Sequence, residues 1–199
     1  MAPETIIALD GMGGDNAPTM VVQGADIALE RMPDLVFKLV GDEKHLEPLI
    51  DASEYLNNSN CSVIHTDKKV GDSEKPSVAL TSGRDTSMRL AIDLVANSAA
   101  HGIVSAGNTG ALMVMSKLGL RMCPGIDRPA IASFFPTLKG ESCMLDLGAN
   151  IECDSGNLVQ FAVMGQIFAR LVLNLPRPTV GLLNVGSVSY THLTLPTKA

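Results

Sequence analysis

The residues of this chain with the clearest capacity for chemistry are Ser105-Ala-Gly-Asn-Thr-Gly-Ala-Leu-Met113. A short apolar run, Gly102-Ile-Val104, precedes them and an apolar-periodic stretch follows, so the segment reads as strand, tight turn and helix. Two glycines free the backbone to approach a ligand, and Asn108 and Thr109 add side-chain donors where the helix presents unpaired amides. Such a helix start attracts phosphate or carboxylate through its N–H groups and its dipole. The same residues also suit a plain turn in which Asn108 or Thr109 is only the helix N-cap.

A second junction of this kind opens the chain. Thr5-Ile-Ile-Ala-Leu9 is a buried-strand pattern ending at Asp10, and Gly11-Met-Gly-Gly-Asp-Asn-Ala-Pro18 is a glycine-rich turn. Asp15 or Asn16 is placed to cap a helix that Pro18 opens. The glycines run G-x-G-G, not G-x-G-x-x-G, and Asp15 sets a negative charge where a pyrophosphate would lie. Asp34 stands at a suitable distance for a ribose but precedes the second strand, so no nicotinamide or flavin site is expected.

The elements that must hold these turns alternate. Helix is expected over Thr19 to Met32, strand over Leu35 to Val40, helix over Glu43 to Tyr55, and strand over Cys61 to His65. Asp67 to Lys75 reads as a solvated charged loop, and Ser77 to Ala100 as one or two helices with a break at Gly83. Arg84 and Arg89 could reach an anion there. Ala130 to Phe134, Cys143 to Leu147 and Thr179 to Val185 are expected strands, with a turn at Gly125-Ile-Asp-Arg-Pro129 and a long helix from Gly156. This order predicts an α/β fold, a mostly parallel sheet with helices on both faces. Asp10, Ser105 and Asp146-Leu-Gly-Ala-Asn150 would then lie at strand ends, where ligands gather in such sheets.

Composition narrows the partners. The chain has 199 residues, 46% of them hydrophobic, and a net charge of −6. No basic cluster or aromatic platform is present, so nucleic acid is not an expected partner. Gly and Pro interrupt the apolar runs, which suits buried strands better than membrane spans. The opening residues lead directly into a strand, so no secretory signal is expected. Four scattered cysteines without a Cys-x-x-Cys pair read as reduced thiols, and no metal-ligand spacing is found.

Five segments, in order and in spacing, closely resemble one family. They are Ala8-Leu-Asp-Gly-Met-Gly-Gly-Asp-Asn-Ala-Pro18, Val104-Ser-Ala-Gly-Asn-Thr-Gly-Ala-Leu-Met113, Gly125-Ile-Asp-Arg-Pro-Ala130, Leu145-Asp-Leu-Gly-Ala-Asn150 and Val159-Gln-Phe-Ala-Val-Met-Gly165. The family is the bacterial acyl-acyl carrier protein:phosphate acyltransferase, the PlsX family of phospholipid synthesis. The resemblance runs from about Thr5 to Gly186. It implies transfer of a fatty acyl group from the thioester of acyl carrier protein to inorganic phosphate, an α/β/α fold, and a homodimer. It also implies a cytoplasmic enzyme working peripherally at the inner face of the membrane. No organic cofactor is implied beyond the carrier's phosphopantetheine arm.

The chemistry of that reaction suits the two turns. Orthophosphate must be held by amides and neutral donors with one oxygen aimed at a thioester carbonyl. Gly13, Gly14, Ser105, Gly107, Asn108, Thr109 and Gly110 are the candidates to hold phosphate or the developing oxyanion. Asp10, Asp15, Asp146 and Asn150 are candidates to orient donors, and the three carboxylates could take a proton from hydrogen phosphate. Each of these four also fits an ordinary cap or turn. A phosphate acetyltransferase-like enzyme using a coenzyme A thioester, and a non-catalytic phosphate-binding module, are the alternatives.

The tail departs from the family pattern, which continues after Gly186 with acidic residues and a Lys-Gly pair. Ser187-Val-Ser-Tyr-Thr-His-Leu-Thr-Leu-Pro-Thr-Lys-Ala199 instead matches a translated sequencing adapter over Ser187 to Thr197. An incomplete α/β domain over 1–186, with a non-native tail over 187–199, is therefore expected. Such a chain is expected to be inactive and poorly soluble.

Overall fold

The computed structural model describes residues 4–138, 140–150 and 153–183, so the expected tail lies outside them. The described part of the expected 1–186 domain forms two compact units that meet between Pro129 and Ala130.

The first unit is a four-stranded parallel sheet of β1 (Thr5–Asp10), β2 (Leu35–Gly41), β3 (Cys61–His65) and β4 (Gly102–Val104). The strand order is β3-β2-β1-β4, with every pairing parallel. Five helices connect or follow the strands: α1 (Thr19–Arg31), α2 (Glu43–Asp51), α3 (Pro76–Ser82), α4 (Ser87–Ala96) and α5 (Thr109–Gly119). Alternation along each strand divides the core. Leu9, Phe37 and Leu39 point to the face covered by α1 and α2, where Val22, Ala25, Leu29, Leu46 and Ile50 meet them. Ala8 and Val40 point to the other face, against Ala91 of α4. A period of two in the strands and of three to four in the helices produces this three-layer packing. A further cluster of Ala79, Met88, Ile92, Ala111 and Met115 joins α3, α4 and α5.

The order matters more than the count. From β1 the chain proceeds outward through β2 and β3, then returns to pair β4 on the other side of β1. The strand order therefore reverses between β1 and β4, and in open α/β sheets the crevice at the carboxyl ends of such a reversal is where ligands bind.

The segment from 67 to 75, expected to be a solvated connection, is anchored instead. Val70 is 5% exposed, and the Lys68 carbonyl accepts from the Ser87 amide at 2.9 Å. The break expected at Gly83 is observed, with α3 ending at Ser82 and α4 starting at Ser87. The loop between α2 and β3 is held by Asp26, which accepts from the amides of Tyr55 and Leu56 at 2.7 and 2.8 Å.

The second unit differs from expectation. β5 (Ala132–Thr137) and β6 (Gly140–Leu145) pair antiparallel as a two-stranded hairpin, not as further parallel strands. Only two residues, Leu138 and Lys139, separate the strands, too short for a parallel crossover, and β6 opens on Gly140 at φ +126°. No strand forms over 179–183, and residues 184 and 185 of that expected strand lie outside the described residues. Two prolines, Pro176 and Pro178, precede it, and each removes a ladder donor. α6 (Ser155–Val172) begins at a capping box in which Asp154 accepts from the Asn157 amide at 2.8 Å. Phe168 of α6 stacks on Phe134 of the hairpin, centroids 5.5 Å apart.

Leu39 sits at the centre of the sheet with no exposed surface. Leu39→Ala is expected to lower the unfolding free energy by about 2–5 kcal/mol. Glu47→Ala, on the exposed side of α2, is expected to change it by less than about 0.5 kcal/mol. Urea unfolding followed by circular dichroism checks both.

Candidate functional site

Asp10 ends β1 with only 1% of its surface exposed. A carboxylate so placed needs donors. Ser87 Oγ, from the first residue of α4, donates to its Oδ1 at 2.5 Å, and Ser105 Oγ, just after β4, donates to its Oδ2 at 2.6 Å. These are the lengths of charge-assisted O–H···O⁻ bonds. The start of α4 adds the favourable end of its dipole. Ser105 Oγ in turn accepts from the Gly107 amide at 3.1 Å. One buried carboxylate thus ties together the ends of β1 and β4 and the start of α4.

The two glycine-rich turns meet over this carboxylate. A Cβ on Gly13 would stand 2.4 Å from Asp10 Oδ2 and 3.0 Å from the Gly107 nitrogen. A Cβ on Gly107 would stand 3.2 Å from the Gly13 Cα. Only hydrogen at both positions lets the backbones approach so closely. Gly14 is required for a second reason, a φ of +106°. Asp10 is sealed beneath them: Ser87 covers one oxygen, and Ser105 and Gly13 cover the other.

Asn108 is the N-cap of α5, its Oδ1 accepting from the Ala111 amide at 3.0 Å. Its Nδ2 donates to the carbonyls of Gly71, Asp72 and Glu74 at 3.3, 3.1 and 2.9 Å. The side chain therefore binds the 71–74 loop to the helix start and is fully occupied. The amides of Asn108, Thr109 and Gly110 have no partner among the described residues and remain available to an anion. Pro76, at the start of α3, closes one side, its Cγ 2.8 Å from where a Gly110 Cβ would be.

The structure thus brings together Asp10, Gly13, Gly14, Ser105, Gly107, Asn108, Thr109 and Gly110 at the crevice. Asp15 is exposed on the first turn. Neither it nor Asn16 caps α1 with its side chain: the N-cap position falls on Pro18, and Asn16 contributes its carbonyl to the Met20 amide. That expectation fails because the helix begins later than the turn's polar residues. Asp146 and Asn150 belong to the second unit. Asp146 follows β6, and its two oxygens accept from the amides of Ala149 and Asn150 at 3.1 and 3.0 Å, so the carboxylate is spent on its own loop.

Arg89 pairs with Asp93 at 2.9 Å, while exposed Arg84 has no ion-pair partner among the described residues. Both line a shallow groove of about 440 Å³ with Leu80 and Leu118, toward the far end of α5 from its unpaired amides. All four cysteines are free, and burial pushes the Cys61 thiol up to about 11, which keeps it unreactive near neutral pH. Ser87 is the residue that sequence reasoning missed. Its position at a helix start, directly after Thr86, carried no motif, and only the return of α4 to the end of β1 exposes its part.

Gly13→Ala is expected to cost about 1–3 kcal/mol, because the methyl collides with a carboxylate that has nowhere to move. Gly24→Ala, where an added Cβ meets nothing within 4 Å on the exposed side of α1, is expected to stabilise by about 0.5–1 kcal/mol. Thermal unfolding of the two variants distinguishes a packed glycine from an ordinary one.

Comparison with known proteins supplies the family. The family model described as fatty acid synthesis protein matches residues 5–195. A phosphate acyltransferase of Rhodospirillum centenum is 63% identical over 187 residues, which are 94% of this chain and 52% of that protein. Phosphate acyltransferases of Rhodospirillum rubrum and Paramagnetospirillum magneticum are 53% and 54% identical, over 95% and 94% of this chain and 54% and 53% of their own lengths. The chain spans about half the length of the curated relatives it matches. A family model aligned over nearly every residue, with close relatives in three bacteria, establishes that the chain belongs to the fatty acid synthesis protein family, to which phosphate acyltransferases of the PlsX type are assigned.

Proposed function

We propose that this chain is the N-terminal part of an enzyme that transfers a fatty acyl group from acyl carrier protein to inorganic phosphate. The observation that carries the reading is the set of unpaired amides at Asn108, Thr109 and Gly110, presented at the crevice between β1 and β4. An oxyanion needs preorganised donors, and main-chain amides at a helix start supply them without reorganisation. The names of the relatives support phosphate and an acyl group as the reactants.

In this reading a phosphate oxygen attacks the thioester carbonyl, a C–O bond forms and the C–S bond breaks. The proton released from hydrogen phosphate goes to the departing thiolate of the phosphopantetheine arm. The amides of α5 hold phosphate or the tetrahedral oxyanion. Asp10 acts by orienting Ser105 and the turn, since no substrate atom can reach its oxygens. Of the candidate carboxylates of the first unit, Asp10 and Asp15, only Asp15 is exposed and open to a proton. Asp146 and Asn150 enter through the family resemblance alone, as groups that orient donors. No organic cofactor takes part beyond the carrier's arm.

The whole protein is proposed to act as a cytoplasmic homodimer, peripheral to the inner membrane. No helix among the described residues is long and apolar enough to cross a membrane. Ser187 to Ala199 is proposed to be non-native. Val159, Val163, Ile167 and Leu171 leave one side of α6 exposed, and so apolar a surface favours aggregation of the 199-residue chain on its own.

Two experiments test the reading. Genomic DNA sequenced across the codon for Gly186 is expected to continue into acidic residues and a Lys-Gly pair; adapter-like codons there would refute the tail assignment. The full-length protein is then expected to consume fatty acyl carrier thioester only when phosphate is present, releasing acyl phosphate. Preference for a coenzyme A thioester would place it with the acetyltransferase-like enzymes, and phosphate binding without turnover would make it a binding module.

A further inference from the structure

We infer that Ser87 is a positioning residue for the phosphate site, acting through Asp10 and Ser105 on the turn that starts α5. The inference rests on the acyl-transfer reading above, and it concerns a side chain that touches no substrate in that reading. Ser87 is 1% exposed. Its hydroxyl donates to Asp10 Oδ1 at 2.5 Å, while its amide donates to the Lys68 carbonyl at 2.9 Å. It therefore joins three parts of the first unit: the end of β1, the start of α4 and the loop that follows β3.

Asp10 can hold Ser105 in one orientation only if its own plane is fixed. A carboxylate bonded through one oxygen can rotate about its Cβ–Cγ bond, whereas one bonded through both cannot turn without breaking a bond. Ser87 is the second point of attachment. Ser105 then keeps its proton on Asp10 Oδ2 and its lone pair on the Gly107 amide. That amide lies at the turn that aims Asn108, Thr109 and Gly110 outward. Removing the Ser87 hydroxyl leaves Oδ1 buried without a donor, and the nearest remedy is for the carboxylate to twist toward other donors. Ser105 and the turn would follow. The predicted defect is loss of phosphate affinity, with the acyl donor unaffected.

The test uses the full-length protein, inorganic phosphate titrated by calorimetry, and steady-state kinetics with each substrate varied in turn. Ser87→Ala is expected to raise the phosphate Kd and the phosphate KM about tenfold, the factor equivalent to one hydrogen bond to a charged group, with the thioester KM unchanged. Ser105→Ala is expected to do the same. The double variant is expected to be no more than about twofold worse than Ser105→Ala, because both act through one carboxylate. A Ser87→Ala protein that melts earlier yet binds phosphate normally, or single effects that multiply in the double variant, overturns the inference. If the alanine variant does not fold, Ser87→Thr keeps the hydroxyl and carries the test: wild-type phosphate affinity is expected, and a tenfold loss in a folded protein sinks the inference. Absence of phosphate binding in the wild-type protein defeats the acyl-transfer reading itself and is thereby told apart from a failure at Ser87.

Discussion

A carboxylate buried at the end of a central strand is the constraint on which the first unit is organised. Asp10 carries its charge into a place with almost no solvent, where only hydrogen-bond donors can offset the loss of hydration. Both hydroxyls come from segments distant in sequence, Ser87 and Ser105. Their requirement fixes how α4 and the β4–α5 turn return to β1. The glycines follow from the same need. With a side chain at position 13 the turn could not close over the carboxylate, and one at position 107 would press on the facing turn.

Strand order gives that cluster its location. Had β4 paired beside β3, the turns after β1 and β4 would have been separated by two strands. Because β4 pairs with β1, they are neighbours, and the first amides of α5 open toward the same crevice. Binding capacity is therefore a property of topology as much as of residue type. The helix start offers donors; the reversal of strand order makes room for something to accept them.

Much of this was readable in the chain before any coordinates. β3 and β4 occupy the expected residues and α1 ends one residue early, just before Met32-Pro33, whereas α2 stops at Asp51, four residues short of the expected Tyr55. The pairing of Asp10 with Ser105 was suggested only in outline, by their shared position at strand ends. Ser87 was invisible, since long-range return of a helix start leaves no local pattern. Asn108 was read as a possible ligand because its type suits one, yet its amide is consumed by three carbonyls that no spacing rule could place near it. The hairpin of β5 and β6 was mistaken for parallel strands because short apolar runs look alike in both settings. There the two-residue link was the decisive signal, and shifting each strand boundary by two or three residues hid it.

The clamp made by Asn108 has a consequence for how this region can change over time. Every group that it grips in the 71–74 loop is a carbonyl oxygen, which any amino acid would provide. The side chain of Asp72 is therefore free to drift without loosening the attachment, whereas that of Glu74 is not, because its Oε2 accepts from the Gly71 amide at 3.1 Å. The number of residues is not free, because adding or removing one would carry the carbonyls out of reach. The loop is thus expected to vary at Asp72, to keep Glu74, and to hold its length, and a single asparagine on another segment sets that last rule.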